Sequence, residues 1–250
     1  MIGDVSGKSV LVIGGTRGIG VSIARKLAEG GAFVGITGRG APAADAAARG
    51  IGQHVKGYAL DVARRDEIDV AIGRFAADQD GADALVYSAG ISPTYTSAEK
   101  LEPADWDAIL SVNLTGAFIA ARAFARRALE RARPGSILFI GSIAGQAGAA
   151  RLTAYSAAKA GLIGLARSLA LDWARRGIRV NVLAPGWVET DMTSGIRKSD
   201  TLSKWIESRT PQGRTATPEE IADMAVFLVS DSASFATGAI FTLDGGWSAG

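Results

Sequence analysis

The sequence predicts an α/β fold built on a mainly parallel sheet covered on both faces. Short β-branched runs alternate with longer Ala-rich segments of helical spacing from one end of the chain to the other. The runs are apolar almost without interruption, as strands buried on both faces must be, whereas a half-exposed sheet would alternate apolar with polar residues. No repeat, low-complexity tract or composition break marks a linker, so the 250 residues read as one domain with a sizeable core.

The strands fall at 9–14 (SVLVIG), 32–37 (AFVGIT), 54–60 (HVKGYAL), 84–89 (ALVYSA), 136–141 (SILFIG), 178–184 (IRVNVLA) and 239–246 (AIFTLDGG). Helical spacing occupies 18–30, 42–49, 64–78, 104–132 with a break near 111, 153–176 and 218–230. The stretch 191–217, DMTSGIRKSDTLSKWIESRTPQGRTAT, is polar with few core candidates and reads as a long connection holding one short helix. Connections of that length inside a compact domain serve as lids or stay disordered; a substrate lid is the expectation.

Composition narrows the function classes. A formal net charge of +2, with arginines spread through the chain, gives no basic patch for nucleic acid or an anionic membrane. The absence of cysteine removes disulfides, thiolate nucleophiles and Cys-ligated zinc, and the single His54 in a polar stretch makes neither a metal site nor a convincing base. The N-terminal apolar run is too short for a membrane span and lacks a cleavable signal pattern. A soluble cytoplasmic protein is expected.

The stretch VLVIGGTRGIGVSIARKLA sets Gly14, Gly18 and Gly20 between the first strand and the first helix. Glycines there permit a tight turn and close approach of backbone, and amides at a helix N-terminus attract a pyrophosphate. The spacing is Gly-x-x-x-Gly-x-Gly and lacks the Gly-Lys-Ser/Thr ending of a triphosphate loop, so a dinucleotide is expected. After the second strand, Gly38 stands where an acid would accept the adenosine ribose hydroxyls, Arg39 follows it, and Arg17 lies in the glycine loop. Two cations and no carboxylate point to NADP(H), with NAD(H) as the alternative. Asp61, closing the third strand, is placed to accept from the adenine amino group.

In AYSAAKAGLIG, Tyr155 and Lys159 are four residues apart on one helical face among small residues. A free tyrosine, with a pKa of about 10, is a poor base at neutral pH; a neighbouring ammonium favours the phenolate and would fit it for proton transfer.

With these residues in order, the chain resembles the short-chain dehydrogenase/reductase family. The match runs through GGTRGIG, LDV, YSAG, SVNLTGAF, IGSIAG, YSAAK, NVLAPGWVETDM and TGAIFTLDGG. The resemblance implies a doubly wound Rossmann sheet of seven parallel strands and an NADP(H)-dependent oxidoreductase interconverting a ketone and a secondary alcohol. It implies that Tyr155 is the general acid and base, that Lys159 lowers its pKa and holds the nicotinamide ribose, and that Ser142 hydrogen-bonds the substrate oxygen. Asn113 would hold a water connecting Lys159 to solvent. The dinucleotide would be bound by Gly14, Thr16, Arg17, Gly18, Ile19, Gly20, Arg39, Asp61, Val62, Ala89 and Gly90, by Tyr155 and Lys159, and by Pro185, Gly186, Val188 and Thr190, with no metal. A homotetramer, joined through the helices at 104–132 and 153–176 and the C-terminal strand region, is implied as well.

Two positions depart from the family pattern: Ile13 stands where Thr is usual before the loop, and Ser88 replaces the second Asn of Asn-Asn-Ala-Gly. The rival reading is a dinucleotide-sensing binding protein on the same fold, which would have no need to keep Ser142, Tyr155 and Lys159 together. The segment RTPQGRTATPEEIADMAVFLVSDSASFATG resembles 3-oxoacyl-carrier-protein reductases, and Arg126, Arg127, Arg175 and Arg176 would be the cations for an acidic carrier protein, or else solvated charges on helix surfaces. Trp187, Trp205 and Ile206 would suit a bulky ketone under the lid, or else pack the lid onto the body.

Overall fold

The computed structural model describes residues 3–92, 94–197 and 199–250, so position 198 of the expected lid lies outside the described residues. Seven strands form one parallel sheet in the order β3-β2-β1-β4-β5-β6-β7. They are β1 Ser9–Ile13, β2 Phe33–Gly38, β3 Val55–Ala59, β4 Ala84–Tyr87, β5 Gly135–Ile140, β6 Ile178–Pro185 and β7 Ile240–Leu243. The helices are α1 Gly18–Glu29, α2 Ala41–Ile51, α3 Arg65–Asp78, α4 Pro103–Leu110, α5 Gly116–Glu130, α6 Ala144–Ala147, α7 Thr153–Trp173, α8 Ser194–Arg197, α9 Asp200–Arg209 and α10 Pro218–Val229.

Burial on both faces explains the unbroken apolar strands. Along β1, Leu11 and Ile13 face a core shared with Phe75 of α3, Phe124 of α5 and Leu162 of α7. Val10 and Val12 face the opposite core, with Ile23 and Leu27 of α1 and Ile221 and Leu228 of α10. Alternate side chains of an extended strand point to opposite faces, so a strand packed by helices on both sides needs an apolar residue at every position. The strand order reverses between β1 and β4, and ligands of such sheets bind in the crevice outside the carboxyl ends at that point.

The break near 111 is a π-helical turn, Ser111–Thr115, between α4 and α5. Inside it the buried Tyr87 hydroxyl donates to the Val112 carbonyl at 2.5 Å. Together Pro103–Glu130 is long and apolar enough by composition to cross a membrane, and half of its most apolar window is buried within the fold; α5 packs on α3, β4 and β5 as a core helix. The stretch 191–217 differs from expectation in holding two helices, α8 and α9, rather than one. Its far end is pinned where Thr217 and Glu220 cap α10 reciprocally and Arg214 grips the Glu220 carboxylate at 2.6 and 2.8 Å. The Arg214 guanidinium holds Glu220 down at about 2. His54 is exposed, its ring edge-on to Phe33.

Candidate active site

The chain must turn from β1 into α1 within residues 14–17 at the carboxyl edge of the sheet. Gly14 does so at φ +81° and passes so close to the next loop that a Cβ would stand 2.7 Å from the Ala89 backbone. Gly20 faces the Gly14 carbonyl with no room for a Cβ. The Gly14 N–H donates to the Thr37 hydroxyl at 3.1 Å, so a threonine on β2 ties down the loop that Ile13, buried in the core, cannot hold. The α1 N-terminus carries no side-chain cap and no acid in its first turn. Its free amides and positive dipole end, with Thr16 and Ile19 half-buried beside them, suit a phosphate.

Arg17 and Arg39 are exposed at the ends of this loop and of β2, and neither makes an ion pair among the described residues. Gly38 is small for a local reason: a Cβ there would press to 2.8 Å on the Thr16 methyl. The Asp61 carboxylate spends one oxygen on the Ala63 N–H at 3.0 Å, while Val62 beside it is buried.

Ser142 lies just past the end of β5, and Tyr155 and Lys159 rise from the first two turns of α7. The Ser142 hydroxyl is close enough to the Tyr155 phenol to favour its ionised form, and it accepts from the Ala144 N–H at 3.2 Å. Lys159 is buried, donates from Nζ to the Ile140 carbonyl at 2.7 Å and lies 5.6 Å from the centre of the Tyr155 ring. The π-helical turn presents Asn113, fully buried, to the loop after β4, where its carboxamide accepts from the Ile91 N–H at 2.8 Å and donates to the Ile91 carbonyl at 2.9 Å. A Cβ on Gly90 would lie 3.6 Å from Asn113 Oδ1 and 3.8 Å from Lys159 Nζ, so these two side chains flank that glycine. The four residues expected to act on substrate thus occupy neighbouring loop and helix ends at the switch point.

One electrostatic expectation is not met by the protein's own groups. Burial pushes the Tyr155 phenol above its ordinary value, and the neighbouring Ser142 hydroxyl opposes it only in part. Burial also pushes Lys159 down to about 8. Because this value lies below that of the unfolded chain, the unfolded state binds more protons between about pH 8 and pH 10.5, and stability rises with pH through that window. From pH 7 to pH 9 the protein should gain about 1 kcal/mol relative to Lys159→Met. Urea unfolding of both proteins at pH 7, 8 and 9 measures this, and parallel profiles would refute it.

The segment after β6 closes the site from the other side. The Pro185 carbonyl accepts from the Ile143 N–H at 3.0 Å, and the Gly186 N–H donates to Leu243 at 2.8 Å. The Trp187 carbonyl and Glu189 N–H both bond Ala216, at 2.9 and 3.0 Å, which turns the Val188 backbone to the opposite edge. There the Thr193 hydroxyl donates to the Val188 carbonyl at 2.6 Å. Thr190 returns onto the glycine loop: a Cβ on Gly18 would lie 3.5 Å from its methyl. The expected dinucleotide residues from both halves of the chain therefore meet around one crevice.

In the stretch 191–217, Ile206 of α9 packs into the body, whereas Trp205 is about half exposed, 48%, and meets Trp247 edge-to-face at 5.4 Å. Trp247 also stacks against Trp187 at 6.0 Å and lies under the Arg209 guanidinium at 5.6 Å. This aromatic row was not legible in the sequence, because Trp247 follows the last strand and nothing local announces its partners. Of the candidate carrier-protein cations, Arg126 and Arg127 both pair with Asp69 of α3, at 3.1 and 2.9 Å, while Arg175 and Arg176 are exposed after α7.

The family model described as Enoyl-(Acyl carrier protein) reductase matches residues 14–248, nearly the whole chain. The chain belongs to the short-chain dehydrogenase/reductase family. Within that family it is 37% identical to the 3-oxoacyl-[acyl-carrier-protein] reductase FabG of Chlamydia trachomatis serovar D, over 98% of this chain and 99% of that one. It is 38% identical to the cis-4-hydroxycyclohexanecarboxylate dehydrogenase of Sinomonas cyclohexanicum, over 99% and 100%. Among solved structures, a gluconate 5-dehydrogenase from Burkholderia cenocepacia, in complex with NADP and tartrate, superposes with a TM-score of 0.95 at 34% identity, covering 100% of this chain and 98% of that one. These short-chain dehydrogenases and reductases act between CH–OH and carbonyl groups; like them, the chain is an oxidoreductase with the seven-stranded sheet described above.

Proposed function

We propose that this protein is an NADP(H)-dependent oxidoreductase that interconverts a ketone and a secondary alcohol, with Tyr155 as general acid and base. The observation that carries the reading is the Tyr155 phenol at the switch point beside Ser142, with the buried Lys159 ammonium 5.6 Å from its ring and anchored on the Ile140 carbonyl. When bound, NADP(H) supplies or accepts the hydride. The chain's own residues orient the carbonyl and manage the proton. Ser142 Oγ and Tyr155 Oη together bracket the substrate oxygen, and Tyr155 Oη gives its proton to that oxygen in reduction and takes it back in oxidation. A raised phenol value keeps Tyr155 protonated at neutral pH, which suits the reducing direction. Lys159, anchored on Ile140, holds the ribose side, and Asn113 positions the loop at Ile91 and uses its remaining hydrogen-bonding capacity for a water next to Lys159.

The dinucleotide is held by the backbone of Gly14, Thr16, Gly18, Ile19 and Gly20, by Asp61, Val62, Ala89 and Gly90 at the adenosine side, and by Pro185, Gly186, Val188 and Thr190 at the nicotinamide side. Arg17 and Arg39, without ion pairs among the described residues, take the 2′-phosphate. Support for the phosphate comes also from the NADP in the gluconate 5-dehydrogenase structure and from the carrier-protein reductases among the relatives. NAD(H) use is the alternative, and a non-catalytic dinucleotide sensor the rival. We further read residues 1–250 as one domain with 191–217 as its substrate lid, in a cytoplasmic homotetramer. Exposed Phe118 on α5, Leu171 on α7 and Phe235 before β7 fit subunit contacts there. An acyl carrier protein is the weaker partner, since two of its four candidate cations are committed to Asp69.

The test is loss of NADPH, and separately NADH, across a panel of an acetoacetyl thioester, a cyclic diketone, an aryl ketone and a sugar ketone. Preferential NADPH consumption with one class supports the reading; NADH preference overturns the cofactor, and silence with tight cofactor binding supports the sensor. Trp205→Ala should shift preference among the bulky ketones severalfold in kcat/KM while the Kd for NADPH stays unchanged, because the indole is half exposed on α9 and its ring contact is Trp247. Unaltered preference would make it a packing residue.

A further inference from the structure

Among the described residues three non-glycine residues have positive φ: Asp80, Ala132 and Arg151. Two of them have an ordinary explanation. Asp80 and Ala132 end α3 and α5 in caps where the following N–H reaches back five residues, Gly81 to Ala76 and Arg133 to Ala128. Arg151, at φ +65°, is different. It sits third in the four-residue turn 149–152 closed by the Leu152 N–H on the Ala149 carbonyl, a position where positive φ ordinarily calls for glycine or asparagine. Arginine is held there at a conformational cost, which is typical of residues retained for what their side chain does.

That side chain is placed for recognition. Arg151 lies four residues before Tyr155, in the loop that also carries Ser142. Its carbonyl accepts from the Thr96 N–H at 3.1 Å, joining the loops that follow β5 and β4 on one side of the crevice. The guanidinium lies over the exposed ring of Tyr95, 5.5 Å from its centre. Neither residue is buried, and Arg151 has no ion pair among the described residues; Glu99, the acid nearest along the Tyr95 loop, is hydrogen-bonded to Ser97 at 2.7 Å. A guanidinium held over an aromatic face keeps its N–H donors unspent, and its planar fork can receive a carboxylate through two parallel bonds.

We propose that Arg151, oriented by Tyr95, is a specificity-determining residue that binds a carboxylate carried by the substrate, so that the preferred substrates are keto acids and hydroxy acids whose acid group stands several bonds from the reacting carbon. This rests on the reductase reading above and names its substrate class. A neutral sugar ketone would leave this cation without use.

The test compares acid and ester pairs of one skeleton: 4-oxopentanoate and 4-oxocyclohexanecarboxylate against their methyl esters, each with NADPH. The wild type should prefer at least one acid over its ester by roughly tenfold in kcat/KM, the worth of a charge-assisted hydrogen bond. Arg151→Gly, which suits the left-handed backbone and should keep the thermal midpoint, should erase that preference by raising KM for the acid with kcat and the ester kinetics unchanged. Arg151→Lys should recover part of it. Equal loss on acid and ester, or a wild type without acid preference, overturns the inference. Silence on both pairs while neutral ketones of the panel are reduced overturns it too and leaves the reductase reading standing, whereas silence on every ketone removes the reading beneath it.

Discussion

Replacing Tyr155 by phenylalanine should lower carbonyl reduction by about 10³-fold, within the range that loss of a general acid produces, while NADPH binding changes little. The substitution removes one oxygen and keeps the ring, so the packing of Tyr155 against Ile109 and Ala158 is preserved. What disappears is the phenol oxygen beside Ser142 and the proton that the substrate oxygen must receive. A fall confined to KM would mean that the phenol only binds substrate, and unchanged turnover would end the proposed mechanism. The same variant separates enzyme from sensor: a sensor's dinucleotide affinity and any conformational response would persist, and no activity would exist to lose. Ser142→Ala should cost less, because the tyrosine hydroxyl remains to meet the oxygen.

Much of this site was legible before the structure because its logic is local. Tyr155 and Lys159 share a helical face by spacing alone, and Gly14, Gly18 and Gly20 mark the strand-to-helix turn by position. The parallel sheet followed from strands apolar at every position, a direct consequence of burial on two faces. What escaped depends on contacts between segments far apart in the chain. Thr37 replaces the missing threonine at position 13 from the neighbouring strand. Ile140 takes the Lys159 ammonium, so burial rather than charge pairing sets the values of both Tyr155 and Lys159. One of the two helices of 191–217 escaped because α8 is a single four-residue turn, too short to show an apolar period. The positive φ of Arg151 has no sequence signal at all, since arginine is not a residue that announces a left-handed turn.

The second large effect concerns the cofactor and follows from the contact between Gly38 and Thr16. An acid at the end of β2 would accept the ribose hydroxyls of NAD(H) and repel a 2′-phosphate, yet Gly38→Asp alone would drive its Cβ to 2.8 Å from the Thr16 methyl. The single variant should therefore disturb the glycine loop and weaken both dinucleotides. Thr16→Ser removes that methyl and keeps a hydroxyl in the loop. In Thr16→Ser/Gly38→Asp the carboxylate enters without displacing backbone, and no positive φ stands at position 38 to oppose a side chain. The double variant should lose about 10²-fold in kcat/KM with NADPH, since like charges set against each other cost several kcal/mol, and should gain with NADH. Adding Arg39→Ala should deepen the loss with NADPH and leave NADH almost untouched, because the exposed guanidinium has no ion pair among the described residues whose loss would unsettle the fold. Steady-state kinetics with both cofactors on one ketone decide the matter. If the double variant kept the wild-type ratio, the 2′-phosphate would not lie between Arg17 and Arg39, and the adenosine end of the proposed site would have to be drawn elsewhere.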